Sequence, residues 1–186
     1  MMQKIATMLC ALAFAAGAQA FEVGGVNLAD KASVGGQDLV LNGAGIRTKA
    51  IFKVYVGSLY VPAKANTAAA VYAKAPRRVQ LNMLRDVTAD QMIDALSEGV
   101  TDSNPPAEAA AVKAQTAELG TIMKSIGPLK EGNVLTFDFV DGATKVSLNG
   151  TAKGTIAGEA FNKALFNAWL GDKPVQGDLK KAMLGG

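Results

Sequence analysis

The sequence predicts an α+β fold in which an antiparallel sheet carries helices packed on one side. Three observations point there. Apolar segments rich in Val, Ile, Phe and Tyr recur along the chain, as strands require. The last third holds two two-residue hairpin signals, Asp141-Gly142 and Asn149-Gly150. Helical segments with their own start and stop residues lie between and after these strands.

Taken in order, residues 39–42 open the sheet, Gly43-Ala44-Gly45 reads as a bend, and a long apolar segment continues to Val61, closed by Pro62. Residues 66–75 form a short helix with Asn66 as N-cap, stopped by Pro76. Over 77–86, Val79, Leu81 and Met83 alternate with Arg78, Gln80 and Asn82, the period of a strand. Thr88 and Gln91 make a capping box that starts a helix over 89–100. Beyond Asn104-Pro105-Pro106, residues 107–126 read as one long Ala-rich helix ending at Gly127-Pro128. A three-strand meander follows over 133–140, 143–150 and 151–157. Next comes a helix over 159–171, with Phe161, Leu165, Ala168 and Trp169 on one face and Gly171 as C-cap, then a short helix over 177–186. With no repeat or long linker, residues 21–186 read as one domain.

Residues 1–20 read differently. Lys4, an apolar run from Ile5 to Ala16, and Ala18-Gln19-Ala20 before Phe21 have the layout of a secretory signal peptide cleaved after Ala20. Cys10 lacks the small preceding residues of a lipoprotein site. Cleavage removes the only cysteine, and the chain has no histidine. Disulfides, Cys nucleophiles, His bases and Cys/His metal sites are thereby excluded from the mature chain, and no cofactor is expected. Export to a periplasmic or secreted location suits a chain without cysteine. The whole chain carries a formal charge of +3, and the leader contributes one lysine and no acid, so the mature form is mildly basic. That charge contains no block suited to nucleic acid. No apolar run of membrane-spanning length remains, and a monomer is expected.

Catalytic constellations are scarce. Gly43-Ala44-Gly45 has no following Gly-Lys-Ser/Thr and is too short for a phosphate loop. Asp138 and Asp141 flank a hairpin, where carboxylates usually sit in solvent. Asp172-Lys173 follows a helix end, a surface position, and the Phe161/Trp169 stripe reads as core. Arg47 and Tyr55 stand out. Their even spacing puts them on one face of a regular strand with Lys49, Ile51 and Lys53, while Ile46, Ala50, Phe52 and Val54 face the other way. That face is either the solvated side of the sheet or the floor of a cleft where a guanidinium awaits an anion. Eight residues of straight strand span roughly 26 Å. A bulge or hairpin between Arg47 and Tyr55 is needed before both can touch one ligand.

Gly43-x-Gly45-x-Arg47 followed by 52-FKVYVGSLYVP-62 resembles the arginine-bearing segment of chalcone isomerase-like proteins. The ending 161-FNKALFNAWLGDKPVQGDLKKAMLG-185 is similar to the helix-plus-tail ending of that family, especially its bacterial exported branch. The resemblance implies an open-faced β-sandwich, a large antiparallel sheet with a helical layer and a ligand cleft between them. It also implies that the family arginine is Arg47 and that the threonine position of the plant enzymes is Tyr55. The plant catalytic tyrosine falls on Met92, the asparagine on Gly99, and a late polar site residue near Asn162. Met92 and Gly99 cannot position a chalcone's oxygens. An arginine kept in a more apolar cleft favours a non-catalytic binder of a molecule with one anionic group and an apolar body. Two other readings remain. One is an isomerase or intramolecular lyase in which Arg47 stabilises an oxyanion, helped by Tyr55 or a water. The other is an interaction module in which Arg47 is structural, paired with an acid such as Asp86.

Overall fold

Alternating side chains build the sheet. The computed structural model describes residues 21–186, so the expected leader, with Cys10 and the cleavage point after Ala20, lies outside the described residues. A hairpin of β1 (Phe21–Val23) and β2 (Val26–Leu28) precedes a seven-stranded antiparallel sheet in chain order. Its strands are β3 (Lys31–Val34), β4 (Gln37–Lys49), β5 (Phe52–Val61), β6 (Arg77–Met83), β7 (Val134–Val140), β8 (Ala143–Leu148) and β9 (Thr151–Ala157). Both expected hairpin signals turn β7 into β8 and β8 into β9, with Asp141, Gly142, Asn149 and Gly150 all at positive φ. Asn, Asp and Gly tolerate that region, which the sheet's twist demands of a two-residue turn.

Six helices follow the short connections: α1 (Ala68–Tyr72), α2 (Ala89–Asp102), α3 (Pro106–Ala111), α4 (Lys113–Ile126), α5 (Glu159–Leu170) and α6 (Gly177–Met183). They cover one face of the sheet. Leu59, Leu81, Phe137, Phe161 and Trp169 are buried between the two layers. Trp169 lies at the centre, its ring centroid 6.0 Å from that of Phe137 and 6.5 Å from the edge-on Phe166. The tilted and edge-on geometries avoid the face-to-face sandwich that the aromatic quadrupole disfavours. The opposite face buries a smaller cluster of Leu39, Leu41, Val56, Tyr60 and Val140, joined by Leu28 and packed on by Val23 and Val26 of the first hairpin. The α+β open-faced sandwich is therefore as expected, with the first hairpin, residues 21–28, as a partial lid on the second face.

Four local expectations are corrected. Gly43-Ala44-Gly45 is no bend but the middle of β4, and the expected single long strand is two, turning at Ala50-Ile51. Thr67, not Asn66, caps α1, its hydroxyl accepting from the Ala70 N–H at 3.2 Å. The long helix breaks at Val112, which leaves helical φ/ψ and is itself buried, so α3 and α4 are separate. Val112 is buried in the main core at this junction. Finally, β1, β2 and β3 precede the first expected strand, joined by Gly24-Gly25 and Gly35-Gly36 turns. The capping box of Thr88 and Gln91 forms as expected.

Candidate functional site

A two-residue turn brings Arg47 and Tyr55 together. The β4–β5 register pairs Lys49 with Phe52 and Arg47 with Tyr55. Cross-strand partners share a face, so the long separation expected along one strand is replaced by direct adjacency. A bulge after Arg47 shifts the register there, and Phe52 and Val54, expected on the other face, join the same wall. This wall, α2 and the chain after α5 enclose a cavity of about 720 Å³, within the ~300–1,000 Å³ range of small-molecule sites. Arg47, Tyr55, Met92 and Gly99 all line it. Leu81, Val87, Leu96, Ala168, Trp169 and Val175 make much of the rest apolar. Lys49, Arg85 and Lys173 on one hand, and Asp86, Glu98 and Asp102 on the other, contribute the charged lining.

Arg47 is half-buried and held by one nitrogen. Its Nη1 donates to the Thr48 carbonyl and, at 3.3 Å, to Gln176 Oε1. Gln176 also accepts from the Thr48 N–H at 2.9 Å and donates to the Ile46 carbonyl at 3.1 Å, clamping the bulge from the start of α6. Among the described residues no carboxylate lies within 4.0 Å of Arg47, and Nε and Nη2 make no hydrogen bond. The Tyr55 hydroxyl accepts from Trp169 Nε1 at 2.9 Å, which leaves its own proton to give. Burial raises the Tyr55 pKa; the Trp169 hydrogen bond, the neighbouring Arg47 charge and a hydrogen-bonding contact with the Arg47 side chain oppose this only in part. The phenol is therefore a neutral donor at physiological pH. Sequence reasoning missed Gln176 and Trp169 as parts of the site, since Gln176 reaches Arg47 from 129 residues away and Trp169 reads as core.

The chain has three tyrosines, and burial raises the pKa of each: Tyr55, Tyr60 and Tyr72. A raised folded-state pKa stabilises the fold fully below the unfolded value near pH ~10, and the contribution is lost as pH rises through the folded value. Phenolate absorbance should therefore stay absent through pH ~10 and appear together with alkaline loss of structure. A phenol that titrates reversibly near its ordinary value in the folded protein would contradict this.

The glycines of the Gly-x-Gly-x-Arg segment make room for a helix. A Cβ on Gly43 would strike the Ala182 carbonyl oxygen, and one on Gly45 would lie 2.8 Å from the Ala182 Cβ. Gly57, the register partner of Gly45, faces Leu179 and Met183. These positions let α6 lie flat on the sheet, which in turn delivers Gln176 to Arg47. Gly99 works similarly: its missing Cβ would sit 2.8 Å from that of Ala168, so it sets the approach of α2 to α5. Restoring an asparagine there as Gly99→Asn should cost about 2 kcal/mol in urea unfolding through overpacking, and should bring no chalcone cyclisation. Unchanged stability would show that α2 can move aside.

Asn162 does not line the cavity, contrary to expectation. Its Oδ1 accepts from Arg77 Nε at 2.9 Å and its Nδ2 donates to Thr144 Oγ1 at 3.0 Å, all fully buried. Its polar groups are spent on a buried guanidinium that also donates to the Tyr72 and Lys74 carbonyls and stacks 4.1 Å from the Phe139 ring centroid. Asp86 is no partner of Arg47 either. It accepts from Lys130 Nζ at 2.7 Å and the Glu131 N–H at 2.9 Å at the surface. Asp138, expected in solvent, is buried on the opposite face and accepts from Arg78 Nη2 at 2.6 Å in a two-pronged ion pair.

The fold is shared with a solved structure. The crystal structure of an Arabidopsis thaliana fatty-acid binding protein superposes with a TM-score of 0.69 at 14% identity, covering 86% of this chain and 92% of that one. No curated protein matches the sequence. A family model described as chalcone isomerase-like matches residues 20–185, nearly the whole described chain. The open-faced sheet, the Gly-x-Gly-x-Arg seat and that match agree: the chain belongs to the chalcone isomerase-like family.

Proposed function

We propose that the cavity binds a small apolar or amphipathic molecule with a single carboxylate or similar anionic group, of the fatty-acid kind, without transforming it. The observation that carries this reading is the convergence of unspent donors on one wall of an apolar cavity. Arg47 keeps Nε and Nη2, and Tyr55 keeps its hydroxyl proton. A carboxylate can accept from both, and a partly desolvated guanidinium favours it. Met92 and Gly99 supply no further donor to orient a larger oxygenated substrate. The fold-sharing Arabidopsis protein is described as a fatty-acid binder, which supports the same ligand class. The site belongs to an exported form beginning at Phe21, which N-terminal sequencing of the extracytoplasmic protein tests.

The test is competitive displacement of a fluorescent fatty-acid probe by palmitate and by its methyl ester. Hydrogen bonds to a charged group contribute about 1.5–3 kcal/mol, so Arg47→Leu should weaken palmitate by roughly 10- to 150-fold. The ester, already lacking the charge, should change little. Equal loss for acid and ester, or no loss for the acid, would overturn the anchor. The adjacency of a neutral phenol and a guanidinium also suits an enolate-like oxyanion. Flavanone formation above the spontaneous rate, abolished by Arg47→Leu, would replace binding by isomerisation.

A further inference from the structure

We propose that the tip of the β4–β5 hairpin docks on an anionic lipid surface, with Ile51 and Phe52 entering the headgroup layer and Lys49, Lys53 and Arg85 meeting lipid phosphates. Two-residue turns close five hairpins among the described residues. Four of them use Gly24-Gly25, Gly35-Gly36, Asp141-Gly142 and Asn149-Gly150. The fifth uses Ala50-Ile51, with Ala50 forced to φ 54° and Ile51 86% exposed. A left-handed alanine costs about 1–2 kcal/mol, and an isoleucine at a turn tip gains nothing from water. This turn is therefore poor for folding alone, and such local strain marks function.

Chemistry around the tip selects the occupant. Ile51 and Phe52, the latter 54% exposed, are two of the three exposed large apolar side chains among the described residues. The Arg85 guanidinium lies 4.7 Å from the Phe52 ring centroid, which holds the ring beside a cation. Lys49, Lys53 and Arg85 are exposed, with no carboxylate within 4.0 Å among the described residues. Aromatic and aliphatic groups ringed by unpaired cations match the apolar-over-phosphate layering of an anionic bilayer surface. Lys49, Ala50, Phe52 and Arg85 also line the ligand cavity. Docking therefore presents the cavity to the membrane, a route for acquiring ligand that rests on the binding reading above.

Flotation of residues 21–186 with ligand-free vesicles tests the docking by itself. Phosphatidylglycerol/phosphatidylethanolamine vesicles should carry the protein and phosphatidylcholine vesicles should not, with binding weakened by salt. Ile51→Ser should reduce partitioning by about tenfold, and the charge reversal Lys53→Glu by about 30-fold. Neither residue lines the cavity, so palmitate affinity without vesicles should stay unchanged in both variants. Absent flotation, equal flotation on neutral vesicles, or a dimer lost in Ile51→Ser without vesicle binding would overturn the proposal. Loss of probe binding in vesicle-free solution would instead strike the ligand reading.

Discussion

Asn162→Leu should lower folding stability by about 3 kcal/mol while palmitate affinity stays unchanged. Arg77 is wholly buried, and its Nη2 already lacks a hydrogen bond, with only the exposed Glu159 carboxylate 3.7 Å away. Burial accordingly lowers its pKa. Leucine keeps asparagine's branched skeleton, with bulkier methyl groups, but gives Nε no acceptor and leaves the Thr144 hydroxyl without its donor. A buried charge with three of its five N–H donors unmet is costly. Replacing both residues as Arg77→Met with Asn162→Leu removes the charge and its need together. The pair should recover part of the loss, a coupling that a double-mutant cycle reads. Urea midpoints at constant m-value supply the measurement. Additive losses would show that Asn162 and Arg77 do not depend on one another. A palmitate defect in Asn162→Leu would return this residue to the ligand site.

Gly43→Ala should be comparably severe, at about 3 kcal/mol, because the added carbon meets backbone and not a yielding side chain. To accept it, α6 must lift, withdrawing the fully buried Met183 and Leu179 from the main core. The nearby Asn42 side chain, which donates to the Met183 and Ala65 carbonyls at 2.8 Å and accepts from the Ala65 N–H at 2.7 Å, loses one of its three hydrogen bonds. Unlike Asn162→Leu, this change should also weaken palmitate binding, since Gln176 leaves Arg47 as α6 moves. Limited proteolysis should then cut near residues 172–176 before the rest unfolds. Stability within about 0.5 kcal/mol of the parent, with an intact tail, would show that the Gly-x-Gly segment does not seat α6.

Much of this architecture was legible wherever local chemistry and global fold agreed. Asp141-Gly142, Asn149-Gly150, the Thr88/Gln91 box and the Phe161/Trp169 face each carried a signal that the structure repeats. Gly24-Gly25 and Gly35-Gly36 are equally clear hairpin signals, and reading them would have supplied the first three strands. Ala50-Ile51 carried none, so periodicity ran through the turn and set Arg47 and Tyr55 far apart. Arg77 shares the period of Val79, Leu81 and Met83, which places it on the buried face; its charge hid that. The glycines before Arg47 announced a break in local conformation, whereas their purpose is the approach of a helix more than a hundred residues later. Met92 and Gly99 were placed in the cavity wall by resemblance, but no residue pattern could show that Gly99 is there to admit Ala168.

On the proposed reading, a ligand carboxylate rests on Arg47 inside the cavity. Carbon-13 NMR of palmitate labelled at the carboxyl carbon, bound to the protein and titrated with acid, tests it most directly. A guanidinium partner favours the ionised form, so the bound carboxyl should remain ionised well below the pH at which a free carboxylic acid protonates, near ~4–5. Its affinity should fall progressively as pH drops from the free-acid value and level off below the lowered bound value, and Arg47→Leu should move the bound titration upward. A bound carboxyl that titrates identically with and without Arg47 would contradict an Arg47 anchor.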